Sequence, residues 1–292
     1  MSKNISPQKP REIRFFWKLS LTLMLLLVII AISRIGLLFL VQEISIYQGI
    51  SSSVASQNAQ FFVTESSMGQ AIASSLDAIL IFTLVYILVT RIERRELHLD
   101  DIGLGLHRNT PSLVVLGLVI GTGLFLGAVV FGVIFGSQDL PLLTNLIRWK
   151  YLSPLFASII FYILNSLWQE IVFRGYLQAR AVEEYGRLFG ILAVTVVFVI
   201  LHGLVQTVTP MGIISGLFLF SFIGLLYEQT RSLYLVSVMH AVLNFLPILF
   251  NIEWQGLETT ITYCIALILS ILVSAHNSGS SIYGYISKIY RN

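Results

Sequence analysis

Six side chains in this 292-residue chain have types and spacings that can do chemistry. Gln169, Glu170 and Arg174 lie in Trp168-Gln169-Glu170-Ile171-Val172-Phe173-Arg174-Gly175. His202 follows Phe198 by four residues, and Asn244 follows His240 by four. All six sit in apolar runs. A charged side chain at the centre of a bilayer costs from ~3 kcal/mol to above 10 kcal/mol, so an intramembrane ionisable residue is by default a functional hypothesis. Residues four apart on a helix share a face, and Glu170 can therefore pair with Arg174. Pairing lowers the cost of burying both charges but does not explain why they are there.

The chemistry open to this set is hydrolytic. A neutral imidazole can take or give a proton, or bind a metal. A carboxylate beside an imidazole can activate water as a general base. An imidazole and a carboxamide can donate hydrogen bonds to a developing oxyanion. Together these suit cleavage of an amide bond inside the membrane. Glu170, His202 and His240 equally match a three-ligand zinc site with an open fourth position. The chain has no H-E-x-x-H and no Gly-rich phosphate loop. Ser215, between Gly212 and Gly216, reads as a packing face. His98 and His107 read as solvated, and Glu183-Glu184 as a wet helix end. The single cysteine, Cys264, excludes a disulfide within the chain and reads as a small hydrophobe in an apolar run.

The elements that must position these residues are membrane helices. Hydrophobic residues make up 56% of the chain and charged residues 11%, with a mean hydropathy of +0.84. Soluble domains carry about 25% charged residues. The fold class is therefore all-α and polytopic, with eight expected spans near 19–41, 70–90, 112–136, 153–183, 188–206, 211–227, 233–250 and 259–275. The polar residues fall on the fourth, fifth and seventh. The first span is too long for a cleaved leader, whose apolar core is ~7–15 residues. Arg34 lies within it and Asp77 within the second. Residues 42–69 hold no Lys or Arg and read as an exposed loop, and the charges of 91–101 read as a solvated segment. The third span has Gly117, Gly121, Gly123, Gly127, Gly132 and Gly136. Such small-residue spacing predicts close approach to a neighbouring helix. The fourth span, ~45 Å long at 1.5 Å per residue, must tilt or protrude.

The net charge of +3 and pI near 9.0 reflect orientation in a membrane rather than nucleic-acid binding. Of 18 Lys and Arg residues, 14 fall on one side of this map. Only Arg148 and Lys150 fall on the other, and Arg34 and Arg174 are inside. That bias predicts both termini in the cytoplasm. The expected organisation is a basic N-terminus over 1–18, three helices and their loops over 19–150, a core over 151–250, and a last helix with its tail over 251–292.

At the polar residues the sequence resembles the CAAX prenyl protease and bacteriocin-processing (CPBP, Abi) family of intramembrane endopeptidases. That family shows E-E-x-x-x-R, F-x-x-x-H and H-x-x-x-N in order on separate membrane helices. Here these read Gln169-Glu170-Ile171-Val172-Phe173-Arg174, Phe198-Val199-Ile200-Leu201-His202 and His240-Ala241-Val242-Leu243-Asn244. The resemblance covers about 151–250. It implies an endopeptidase acting on a hydrophobic or prenylated peptide or protein in the bilayer of a prokaryotic cell membrane, with no nucleic-acid partner. It implies His202 as partner of the base, His240 and Asn244 as oxyanion donors, and Glu170 with Arg174 as an orienting pair. No cofactor is expected; zinc on Glu170, His202 and His240 is the alternative. The departure is Gln169, which stands where the family has its first glutamate and cannot accept a water proton as a carboxylate does. The second reading is accordingly a weak or inactive relative that binds a peptide or regulates a membrane partner.

Overall fold

The computed structural model describes residues 11–137, 152–205, 207–250, 252 and 256–279, and every long element in it is a helix. The elements are α1 (Arg11–Tyr47), α2 (Ser52–Thr64), α3 (Ser67–Ile87), α4 (Thr110–Ile134), α5 (Leu152–Glu170), α6 (Ala179–Tyr185), α7 (Arg187–Val205), α8 (Pro210–Thr230), α9 (Leu233–Phe250) and α10 (Leu257–Gly279). A π-helical stretch, Ile171–Gln178, joins α5 to α6 without a break. Among the described residues eight helices are long and apolar enough to cross a membrane, as the sequence predicts: this is an integral membrane protein. The fourth of them, Pro154–Tyr185, is α5, the π stretch and α6 taken together.

Neighbouring helices pack in pairs: α3 along α5, α4 along α9, and α8 along α10. The α4–α9 contact explains the glycines. A Cβ on Gly117 would lie 2.5 Å from Leu235 O, and one on Gly121 would lie 3.0 Å from Met239 O. Only glycine permits that approach, and it brings α4 against the stretch of α9 that carries His240. Gly123, by contrast, faces open space.

Two expectations are corrected. Residues 42–69 are mostly helical, not an exposed loop: α1 runs on to Tyr47, and α2 and α3 follow. Ala55, Ala59 and Val63 form a buried stripe on α2, which packs against α1. Small residues at helical spacing give this contact little hydropathy, so the composition reads as loop. The Ser66 hydroxyl caps α3 by accepting from the Gly69 N–H at 3.0 Å.

Arg34 faces the bundle rather than the bilayer surface. Its Nη2 lies 2.7 Å from Asp77 Oδ2 on α3. The pair supplies each charge with the partner that hydrocarbon cannot.

The charged run after α3 is also more structured than expected. A π turn over Leu88–Ile92 delivers Glu93 inward, where its side chain is 3% exposed. Glu93 receives Lys18 Nζ at 3.0 Å, Arg180 Nε at 2.8 Å and the Tyr176 hydroxyl at 3.2 Å. A short 3₁₀ turn (Leu99–Ile102) buries Ile102, and the Leu233 N–H donates to Gly103 O at 2.9 Å. Arg95 and Glu183 pair bidentately at the surface (3.0 and 2.9 Å), which raises the Arg95 pKa above the ordinary guanidinium value. Lys3, Lys9, Arg148, Lys150, Lys288 and Arg291, which enter the orientation argument, lie outside the described residues.

Candidate active site

Glu170 closes α5, and the backbone then widens into the π stretch that carries Arg174. Isolated π turns inside α-helices occur frequently at functional sites. Several contacts hold the stretch in place. Gln178 Nε2 donates to Gly224 O at 2.9 Å and to Glu228 Oε1 at 3.1 Å. Tyr176 and Arg180 are fixed by Glu93. Gly175 passes close to Ile102, where an added Cβ would lie 3.1 Å from the carbonyl oxygen. All eight residues of the stretch are buried.

Inside this frame the predicted residues meet. Glu170 and Arg174 are fully buried, and Arg174 Nε lies 3.5 Å from Glu170 Oε2. The pairing expected from the i,i+4 spacing therefore survives the change of helix type. Arg174 Nη2 also donates to Phe220 O on α8 at 3.1 Å. Its guanidinium carbon sits 5.1 Å from the Phe198 ring centroid and 5.9 Å from that of Phe220, within cation–π range.

The other Glu170 oxygen, Oε1, lies 2.8 Å from His240 Nδ1. A carboxylate accepts, so the proton of this contact belongs to Nδ1 of His240, whose side chain is 1% exposed. His202 Nδ1 lies 2.9 Å from Phe198 O, one turn back on α7. A carbonyl also only accepts, so Nδ1 of His202 carries a proton as well. In its neutral form each imidazole then has a lone pair on Nε2. The two rings share an aromatic platform. Phe198 lies 4.3 Å from His202 and 6.0 Å from His240 between centroids. Phe220 lies 5.4 Å from His202 and 5.6 Å from His240.

Gln169 is 8% exposed, and its Oε1 has no hydrogen-bond partner among the described residues. Its neighbour Trp168 likewise has a buried, unpartnered Nε1–H. Asn244 is half-buried one turn beyond His240 on α9. The structure thus gathers Glu170, Arg174, His202 and His240 around Phe198 and Phe220, with Gln169 and Asn244 adjacent along their helices. The sequence places the site on the fourth, fifth and seventh spans and misses Phe220, which the sixth contributes. An aromatic residue in an apolar helix carries no signal of this role, and its carbonyl contact depends on tertiary packing. Glu93 was missed because its charged neighbours made it look solvated.

The zinc alternative meets a different geometry. Among the described residues no three His, Cys, Asp or Glu side chains gather with metal-ligand spacing. Glu170 is already engaged by His240 and Arg174. As placed, the three side chains do not present a metal-ligand set.

A buried carboxylate, a guanidinium and two imidazoles at the meeting of four membrane helices define a polytopic membrane protein with an internal polar site. A family model described as Type II CAAX prenyl endopeptidase Rce1-like matches residues 151–246. That stretch contains all six predicted residues, and the match bears out the resemblance read from their motifs. Over this region the chain is similar to that family, and the chain as a whole is a polytopic membrane protein. No curated protein matches the chain, and no solved structure does.

Proposed function

We propose that the protein is a membrane-embedded endopeptidase that hydrolyses a peptide bond in a membrane-associated or prenylated peptide or protein. The observation that carries this reading is the buried triplet in which Glu170 holds His240 Nδ1 on one oxygen and Arg174 on the other. A purely structural ion pair needs no imidazole, and a second imidazole on the same aromatic platform does nothing for packing that a leucine would not do. The matched family model supports the prenylated substrate class by its description.

Hydrolysis needs a proton acceptor for water and donors for the oxyanion. Gln169 supplies no proton acceptor of carboxylate strength, so the acceptor is an imidazole Nε2. The carboxamides of Gln169 and Asn244 are the N–H donors beside it. Removing one such donor typically costs 10²–10³-fold in rate. The test is cleavage of a prenylated C-terminal peptide by purified protein in nanodiscs. Turnover that falls by about 10²-fold or more in Asn244→Ala supports the reading. Absence of turnover with saturable peptide binding supports the second reading instead, a peptide-binding relative, which the carboxamide at position 169 favours.

A further inference from the structure

The geometry points to His240, backed by Glu170, as the general base that replaces the carboxylate missing at position 169; this rests on the endopeptidase reading above. The resemblance places His240 among the oxyanion donors. A neutral His240 whose Nδ1–H points at Glu170 Oε1 (2.8 Å) has no N–H left to donate from Nε2. It has a lone pair there instead.

Charge decides between the two roles. Glu170 and Arg174 form a neutral, fully buried pair at 3.5 Å. A resting His240 imidazolium would add a net positive charge to this fully buried pair, and a buried charge without compensation is costly. During reaction the developing oxyanion adds the negative charge that balances a proton arriving on His240. A proton arriving at Nε2 makes an imidazolium whose other N–H already faces a carboxylate. The carboxylate holds the tautomer and stabilises the cation, as in a carboxylate–imidazole–nucleophile arrangement. At 1% exposure the His240 side chain meets that carboxylate without screening by solvent.

His202 lacks this backing. Its Nδ1 faces only the Phe198 carbonyl of its own helix, at 2.9 Å. A carbonyl dipole stabilises an imidazolium less than a full negative charge does. His202 Nε2 can instead accept a hydrogen bond from the attacking water and aim its oxygen.

The step balances without any further reactant. The water oxygen attacks the scissile carbonyl carbon, and one water proton moves to His240 Nε2. The carbonyl π pair becomes the oxyanion, held by carboxamide N–H groups. The tetrahedral intermediate then collapses. The C–N bond breaks, and the Nε2 proton passes to the departing amine nitrogen. The products are a free amine and a new C-terminal carboxylic acid, and His240 is neutral again. His240 is catalytic in this scheme and Glu170 is a positioning residue.

The experiment substitutes His240→Gln and His202→Gln and measures kcat and KM on a prenylated peptide in nanodiscs. A glutamine keeps an N–H donor but not a base. A positioned general base contributes 10²–10⁴-fold, so His240→Gln should lose at least about 10²-fold in kcat, and more than His202→Gln. Glu170→Gln should lower kcat, counted per folded molecule by size exclusion, at least about tenfold with KM unchanged, which loss of folding alone does not do once the unfolded fraction is removed. A second measurement reads the ring directly. Nitrogen-15 NMR of histidine-labelled protein should show His240 protonated at Nδ1 in the wild type, whatever the turnover. A cleaving wild type whose His240→Gln variant keeps activity within tenfold overturns the inference and leaves the endopeptidase reading standing. So does an Nε2-protonated His240. A wild type that cleaves nothing overturns both.

Discussion

Replacing Arg174 by alanine perturbs the site at its most buried point. The guanidinium is fully buried, and it holds Glu170 Oε2 at 3.5 Å and Phe220 O at 3.1 Å while covering the Phe198 ring at 5.1 Å. Breaking a buried pair by removing one partner costs about 3–5 kcal/mol because the other is left charged and unpaired. Here the damage is partly offset, since Glu170 keeps its 2.8 Å hydrogen bond from His240. The expected loss therefore lies near the lower bound, about 3 kcal/mol. In proteins of comparable size 1 kcal/mol shifts Tm by roughly 2–4 °C, which puts the expected drop at about 6–12 °C. The assay is thermal unfolding of purified protein in detergent. The double variant Glu170→Met with Arg174→Met removes both charges and should lose less than the sum of the two single variants, because neither leaves the other stranded. An unchanged Tm in Arg174→Ala would refute the argument and place the guanidinium at a solvated edge. Additive single and double losses would refute the coupling.

Further outcomes follow from other contacts. Gly117→Ala forces a methyl to within 2.5 Å of the Leu235 carbonyl oxygen and should cost about 1–3 kcal/mol, whereas Gly123→Ala meets open space and should be close to neutral; thermal melts of the pair check the contrast. The Arg34–Asp77 pair is asymmetric, with side-chain exposures of 32% and 0%. Arg34→Ala should lower Tm more than Asp77→Asn, because only Arg34 has an outlet when left alone. Arg95→Ala removes an exposed pair and should change stability by less than about 1 kcal/mol, again by melting. Reporter fusions after Ile50, Asp101 and Glu253 should read outside, inside and outside, since the Lys and Arg bias sets orientation; a cytoplasmic signal at Ile50 would invert the map.

The spans were legible because their hydropathy is set by composition, which needs no tertiary information. The glycines of α4 were legible for a similar reason: small residues four apart on a helix must line one face, and Gly117 and Gly121 do meet α9. Glu170, Arg174, His202 and His240 were legible as polar groups that lipid cannot accommodate alone. What they do with one another was not. Spacing put Glu170 beside Arg174 but gave no hint that its second oxygen takes His240, 70 residues away, because that contact depends on how α5 meets α9. The π stretch over Ile171–Gln178 was invisible as well, since an extra residue per turn leaves no mark on residue types. Arg34 with Asp77, and Glu93 with Lys18 and Arg180, are again pairs between distant segments. Glu93 in particular reads as a surface residue until its partners are placed.

The central claim is that this buried site splits a peptide bond with water. Incubating the protein in nanodiscs with a prenylated C-terminal peptide in oxygen-18 water, followed by mass spectrometry of the products, tests it most directly. Hydrolysis should give two fragments, with one oxygen-18 atom in the new C-terminal carboxylate and none in the amine product. Saturable binding of a peptide that stays intact would contradict it.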